Sequence, residues 1–190
     1  MTKLLPNHIV GIGGSAGALN AYKELLESLP SNTSMAFVVI SHINPAANSQ
    51  LAQILSRHTK MPACVASTAM PIWANHVYVI PANADLLIES YTFKVVSPRC
   101  RRNAQIDLFF SSLAEAMGAR AIGIVLSGYH RDGSEGCRSI KAKGGTTFAQ
   151  DMSAEVEDMS RNAQALGYVD YVLSPKEIAV ALNKLSASTL

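Results

Sequence analysis

The sequence lacks the features that mark secreted, zinc-stapled or membrane-spanning proteins. Its 190 residues include three cysteines, an odd number, and none of them forms a CxxC pair. This argues against both a disulfide framework and a structural zinc site. No window approaches the roughly 18 uninterrupted apolar residues of a membrane helix, and the N-terminus lacks the apolar segment of an export signal. We therefore expect a cytoplasmic protein with reduced cysteines and no membrane insertion.

A strong excess of charge of one sign is also missing. The net charge of +2 is too small to indicate nucleic-acid binding. Arg99, Arg101 and Arg102 form a local basic cluster, which is typical of a solvated surface, with an acidic protein partner as the alternative. Hydrophobic residues at 48% and charged residues at 16% fit a well-buried globular chain without repeats or linkers. We expect a single domain over residues 1–190 with its core at about 9–185.

Apolar runs of strand length alternate with amphipathic helical patterns along most of the chain. Residues 35–40 and 121–126 are typical of parallel strands buried on both faces, and residues 18–29 and 106–117 have helical spacing. Residues 86–96 predict an antiparallel hairpin. This pattern predicts an α/β fold, a three-layer, doubly wound, mostly parallel sheet with helices on both faces and an antiparallel hairpin.

A glycine-rich stretch near the N-terminus lies between the first apolar run and the first helical pattern. Three glycines in four positions, Gly11, Gly13 and Gly14, predict a sharp turn that presents Ser15 at its tip. The N–H groups of the first helical turn would face that hydroxyl. The stretch is compatible with two uses, a nucleophile elbow or a phosphate cradle.

Two further polar residues follow predicted strands. His42 ends the second strand, and Asp132 lies in the loop after the strand at 121–126. Because ligand sites lie at the carboxyl ends of parallel strands, we expect both to meet Ser15. A hydroxyl nucleophile, an imidazole base and an orienting carboxylate form a hydrolytic triad. Taken singly, Ser15 also fits an N-cap and Asp132 a turn residue, and His130 shares the aspartate loop as a candidate for lining the site.

Dinucleotide binding is the main competing interpretation. Gly11-x-Gly13-x-x-Ala16 fits the Rossmann pattern between a strand and a helix. That pattern calls for an acidic residue about 20 positions further on, at the end of the second strand. The second strand ends in Ser41-His42 instead. This disfavours ordinary NAD binding and leaves a phosphorylated ribose open.

The motifs together resemble the catalytic domain of the CheB family of chemotaxis receptor methylesterases. The resemblance spans about Ile9 to Leu185. It rests on four motifs in order, Gly-Ile-Gly-Gly-Ser-Ala-Gly around Ser15, Ser-His-Ile-Asn-Pro around His42, Ile-Asp-Leu-Phe-Phe at 106–110, and Val-Leu-Ser-Gly-Tyr-His-Arg-Asp-Gly ending at Gly133. It implies a cytoplasmic carboxylic ester hydrolase, a protein-glutamate methylesterase. Such an enzyme releases methanol from glutamate γ-methyl esters on the cytoplasmic helices of chemoreceptors and deamidates certain receptor glutamines.

The resemblance also implies roles for individual residues. Ser15 would be the nucleophile, His42 the general base and Asp132 the orienting acid, the trio that strand ends had already indicated. For the oxyanion we select the backbone N–H groups of Ala16 and Tyr129. Neither a metal nor an organic cofactor is implied, and the expected partners are methylated chemoreceptor helices.

The chain departs from the family pattern at several positions. His130 stands where glycine is usual, Asn48 lies near a usual arginine, Ala16 replaces a threonine, and Asp158-Met159-Ser160 replaces Gly-Met-Pro. These departures affect the expected substrate preference more than the trio. They motivate an alternative hypothesis, a catalytically silent module that binds a receptor or signalling partner on the same fold.

The N-terminus bears on regulation. Family members usually have an N-terminal receiver domain whose phosphorylation relieves inhibition, whereas only eight residues precede Ile9 here. We therefore expect phosphorelay control to come from a separate response-regulator chain, or to be missing.

Overall fold

The computed structural model describes residues 4–42 and 45–187, with residues 45–49 described by their backbone alone. Strands and helices alternate through most of these ranges. The strands are β1 (His8–Gly14), β2 (Met35–Ser41), β3 (Ala63–Val65), β4 (His76–Val79), β5 (Asp85–Glu89), β6 (Thr92–Val96), β7 (Ala121–Val125), β8 (Thr146–Gln150) and β9 (Tyr171–Leu173). The helices are α1 (Ala18–Glu27), α2 (Pro45–Leu55), α3 (Gln105–Met117), α4 (Ser134–Ala142), α5 (Asp158–Ala165) and α6 (Pro175–Ala187), with a 3-10 turn at Gly118–Arg120.

Seven of the strands form one parallel sheet in the order β3-β4-β2-β1-β7-β8-β9. The central strand β1 pairs with β2 on one side and β7 on the other. The winding therefore reverses at β1, and the crevice beyond its carboxyl end is where such sheets bind ligands. Strands β5 and β6 form a separate antiparallel pair. The predicted α/β class, parallel sheet and hairpin are confirmed.

Alternate strand residues face opposite sides of the sheet and build two hydrophobic cores. Val10, Ile12 and Phe37 pack with residues of α1, α2 and α6. Ile9 and Val38 pack on the other face with residues of α3, α4, α5 and the hairpin. Helices thus cover both faces, which confirms the three-layer prediction. In the part of the chain that the structure describes, none of the helices has the length and apolar character needed to span a bilayer.

The glycine-rich stretch differs from the prediction in where its turn lies. Gly11, Gly13 and Gly14 all belong to β1, and the chain turns only from Ser15 onward. A Cβ on Gly13 would lie 2.5 Å from Cγ2 of Ile106. Gly11 similarly faces an aromatic ring of α3. These two glycines therefore allow α3 to pack closely on β1, and the space above them is filled by protein, not open to a phosphate.

Candidate active site

Ser15 is held at the start of the turn by its backbone. Its N–H donates to the carbonyl of Ser127 at 2.9 Å, and its carbonyl accepts from the N–H of Ala18 at 3.1 Å. The N-cap of α1 is Gly17, in the left-handed conformation at φ 73° and without a side-chain cap. The hydroxyl of Ser15 is thus not used as a helix cap and forms no hydrogen bond to the described residues. The half-buried Ser15 side chain is available for chemistry.

His42 is the first residue after β2, the strand that pairs with β1, and it is level with Ser15. Gly14 pairs with Ser41 across β1 and β2, and the N–H of His42 donates to the carbonyl of Gly14 at 3.4 Å. Ser15 and His42 are therefore the first residues beyond the ends of two neighbouring strands, β1 and β2. This placement follows from the parallel register, as the sequence pattern predicted.

Within the described residues, the imidazole of His42 is hydrogen-bonded on one side only. Its side chain is 5% exposed, and Nε2–H donates to Oδ2 of Asp132 at 2.5 Å. A carboxylate can only accept, so the proton of the neutral ring lies on Nε2. Nδ1 is buried and has no hydrogen-bond partner among the described residues. It is the nitrogen left with a free lone pair, as a general base requires.

Asp132 is oriented by the first turn of α3. Its side chain is fully buried. Besides His42, it accepts the N–H of Ile106 at 3.0 Å on Oδ2 and the N–H of Asp107 at 2.9 Å on Oδ1. Three donors and the positive end of the helix hold the carboxylate and its negative charge. Both carboxylate oxygens are therefore fixed before any substrate arrives.

A second carboxylate lies behind Asp132. Oδ1 of Asp107 accepts the N–H of Gly133, the N-cap of α4, at 2.8 Å and the N–H of Gly136, in the first turn of α4, at 2.7 Å. Burial, together with the charge of Asp132, raises the pKa of Asp107 to about 6, although the two backbone hydrogen bonds act to lower it. The sequence contained one signal for this residue, a lone acid inside the apolar segment 106–110.

Ser127 joins the serine turn to two other loops, and the sequence predictions missed it. This buried hydroxyl donates to the carbonyl of Ala16 at 2.8 Å and accepts the N–H of Val156 at 2.9 Å. Its backbone N–H donates to Oε1 of Gln150 at 3.0 Å. The signal that could have indicated it is its position two residues after the end of the buried strand β7.

Gly128 is required because the loop after β7 passes very close to Ser15. A Cβ at this position would lie 2.9 Å from Cβ of Ser15 and 2.1 Å from Sδ of Met159. The backbone is tied down on both sides, since Gly128 N–H donates to Val156 and Met159 N–H donates to Gly128. The loop thereby closes one side of the serine turn.

The comparisons with known proteins agree with this geometry. A family model described as CheB methylesterase matches residues 10–182. The chain belongs to the CheB methylesterase family. A crystal structure of the Thermotoga maritima CheB methylesterase catalytic domain matches with a TM-score of 0.85 at 26% identity, covering 94% of this chain and 98% of that one. The predicted family is therefore confirmed, together with the fold.

Relatives of this CheB-family chain differ in length. A Leptospira interrogans protein, provisionally named protein-glutamate methylesterase/protein-glutamine glutaminase, is 33% identical over 94% of this chain and 95% of its own length. A Hydrogenovibrio crunogenus protein with the same activity name is 31% identical over 94% of this chain and 50% of its own length. A Burkholderia orbicola relative is 32% identical over 92% of this chain and 52% of its own length. The chain thus spans about half of the longer relatives.

The two proposed oxyanion donors of this CheB-family site lie in the two loops that flank Ser15. The N–H groups of Ala16 and Tyr129 donate no hydrogen bond within the described residues, so both are free to bind an incoming oxygen. Tyr129 directly follows Gly128, and its side chain is exposed. Their role stays a prediction.

His130 stands where the CheB-family pattern usually has glycine, and its backbone has a conformation typical of glycine. It has φ 74°, and its carbonyl accepts Nδ2–H of Asn162 at 2.8 Å. An L-residue is strained in this conformation. The side chain is exposed and borders a polar cleft of about 500 Å³. The residues lining this cleft are Asn103, Asp107, His130, Arg131, Asp132 and Asn162.

The other departures from the CheB-family pattern have different outcomes. Asp158, Met159 and Ser160 open α5, where the last two are buried and Met159 packs behind Gly128. The side chain of Asn48 lies outside the described residues.

Metal ligation and cysteine chemistry are the remaining chemical options of the described residues, 4–42 and 45–187. No group of three or more His, Cys, Asp or Glu side chains could hold a metal ion within those ranges. The three cysteines are free thiols, and burial raises the pKa of Cys137 to about 12, so this thiol stays neutral.

Proposed function

We propose that this chain is a serine methylesterase that hydrolyses glutamate γ-methyl esters on chemoreceptors and releases methanol. The observation that carries the proposal is the state of His42, with Nε2–H bonded to Asp132 at 2.5 Å and Nδ1 without a partner among the described residues, beyond a strand that pairs with the strand before Ser15. A half-bonded imidazole next to an uncapped serine is the arrangement that activates a hydroxyl. The names of the relatives supply the substrate class.

The reaction begins with proton transfer from Ser15 to Nδ1 of His42. The serine oxygen attacks the ester carbonyl, and the resulting imidazolium is stabilised by the buried Asp132. The imidazolium then returns its proton to the methoxy oxygen, so that methanol leaves and a glutamyl ester forms on Ser15. Water, deprotonated by the same imidazole, attacks this ester and frees the glutamate carboxylate and the serine.

Negative charge on the carbonyl oxygen needs donors that are already in place. The N–H groups of Ala16 and Tyr129 serve this role in the proposal, because neither is used elsewhere in the described structure. The hydrogen bond from the Ser127 hydroxyl to the carbonyl of Ala16 supports the position of the loop that contains Ala16. Preorganised donors of this kind contribute about 3–4 kcal/mol each to transition-state stabilisation.

The partners in this proposal are the methylated cytoplasmic helices of chemoreceptors, which places the protein in the cytoplasm. Relatives bear a combined methylesterase and glutaminase name. We therefore include deamidation of receptor glutamines, in which ammonia replaces methanol as the leaving group.

Methanol release from receptor membranes tests the function. Membranes with chemoreceptors labelled on their methyl groups are incubated with the wild-type chain and with Ser15→Ala. The proposal predicts labelled methanol from the wild type and none above background from the variant. No release from a folded wild-type chain would instead favour the silent binding module. Ammonia release from receptors with unmodified glutamines tests the second activity separately.

A further inference from the structure

We propose that Asp107 is a positioning residue for the triad, acting through Asp132. The inference deepens the proposed function and rests on it for the reaction concerned. Asp107 touches neither Ser15 nor His42 in any hydrogen bond of the described structure. It acts instead on the backbone that holds Asp132.

Asp107 and Asp132 cap each other's helices. Asp132 lies just before α4, and its carboxylate accepts N–H groups from the first turn of α3. Asp107 lies in the first turn of α3, and its carboxylate accepts N–H groups from the N-cap and the first turn of α4. The first N–H groups of a helix have no partners within the helix. Each of the two carboxylates accepts such N–H groups at the start of the other residue's helix. The two bonds from Asp107 fix the distance between these helix starts.

One of these bonds directly sets the backbone of the triad residue. Gly133, whose N–H is bound by Asp107, is the neighbour of Asp132 and has φ 99°, a conformation typical of glycine. α4 itself has no side-chain cap from its own N-cap residue. Asp107 supplies the missing acceptor from another helix. Without it, Gly133 and Gly136 would each lose a partner, and Asp132 could drift from His42.

The carboxylate oxygen, rather than the charge, does this positioning. Asp107→Asn keeps an oxygen acceptor of the same size and place, whereas Asp107→Ala removes it. The expected result is that Asp107→Asn stays within about threefold of wild-type kcat, while Asp107→Ala loses about 10- to 100-fold in kcat. KM should change by less than about threefold in both, because Asp107 holds the catalytic geometry and not the substrate.

A second measurement reports on His42 without any substrate. The proton on Nε2 of His42, bonded to Asp132, should give a downfield imidazole resonance in the NMR spectrum. That resonance should persist in Asp107→Asn and broaden or vanish in Asp107→Ala. Asp170→Ala is the matched control. Asp170 also accepts a backbone N–H, from Thr147 at 2.9 Å, but it lies at the start of β9, at the amino edge of the sheet.

Each outcome has a defined meaning. Loss of kcat and of the His42 resonance in Asp107→Ala, with both retained in Asp107→Asn and Asp170→Ala, supports the proposal. An unchanged resonance in folded Asp107→Ala overturns it, as does an equal loss in Asp170→Ala. If the wild type releases no methanol, the proposed function fails, but the resonance still decides the role of Asp107.

Discussion

Nε2 of His42 and Oδ2 of Asp132 lie 2.5 Å apart although 90 positions separate the two residues in the chain. Parallel pairing places His42 at the end of β2 and the Asp132 loop beyond β7, on either side of β1. The bond therefore crosses the end of β1, the strand that directly precedes Ser15. This relationship makes the charge and hydrogen-bonding capacity of Asp132 the first property to test.

Asp132→Asn should lower kcat strongly. The amide removes the negative charge that would stabilise the imidazolium and allows the wrong imidazole tautomer, which in triads costs on the order of 10³-fold or more in kcat. Methanol release under saturating receptor concentration measures the effect. Asp170→Asn, an equivalent change at the opposite edge of the sheet, should leave kcat within about twofold. Comparable kcat values for the two variants would contradict the assigned role of Asp132.

Gly128→Ala should damage activity more than stability. The added methyl group would lie 2.9 Å from Cβ of Ser15, so the serine turn must shift. We expect a loss of about 10- to 100-fold in kcat and an unfolding free energy lower by about 1–3 kcal/mol. Gly123→Ala is the control, because its methyl group would meet Ile140 inside the core. It should cost comparable stability with little change in kcat; equal kcat losses would show that Gly128 has no special relation to Ser15.

The raised pKa of Asp107 predicts a pH-dependent stability difference. The pKa is about 6 in the fold, against 3.8 for an ordinary aspartate, because of burial first and the charge of Asp132 second. The folded chain therefore binds this proton more tightly than the unfolded chain. Between about pH 4 and 6, rising pH should reduce the stability of the wild type relative to Asp107→Asn, which has no proton to lose.

Denaturant unfolding at a series of pH values checks this sign. Asp107→Asn should be the more stable protein above about pH 6, with the advantage fading toward pH 4. The pKa of the Asp170 carboxyl is lowered, because its hydrogen bonds with Lys141 and Thr147 outweigh the opposite effect of burial. Asp170→Asn should therefore show the opposite trend. A constant difference between wild type and Asp107→Asn across this range would contradict the raised pKa.

His130 offers a test of the strained loop beside the site. At φ 74°, His130→Val should lower the unfolding free energy by about 1–2 kcal/mol, since a β-branched residue fits the left-handed region worst. His130→Gly should remain within about 1 kcal/mol of the wild type, because glycine relieves strain but loses more chain entropy. Thermal and denaturant unfolding measure both. Equal stability of the Val and Gly variants would mean that the backbone at this position relaxes.

Much of the fold followed from the sequence because its signals are local and strong. The apolar run at 35–40 became β2, and the hairpin predicted at 86–96 formed as β5 and β6. Helix α5 was not predicted, because only Met159, Ser160 and Ala163 of its eight residues are buried and the apolar periodicity is weak. Local patterns reveal an element only when enough of it faces the core.

The part of the site that could be predicted from the sequence consists of residues placed by the ends of strands. Ser15, His42 and Asp132 each follow a buried strand, and parallel sheets bring such ends together. The Asp107–Asp132 arrangement was not predictable, because it depends on how two helices meet in space. The same holds for Gly13, whose missing side chain makes room for Ile106 and α3. Sequence spacing alone carries no information on such contacts.

Ser15 is proposed as a nucleophile that His42 activates. The most direct measurement is reaction of the chain with an active-site phosphonate, followed by peptide mapping of the adduct by mass spectrometry. One adduct is expected, on Ser15, and its formation should slow by about 10³-fold or more in His42→Ala. An adduct on a different serine, or labelling of Ser15 at the same rate without His42, would contradict it.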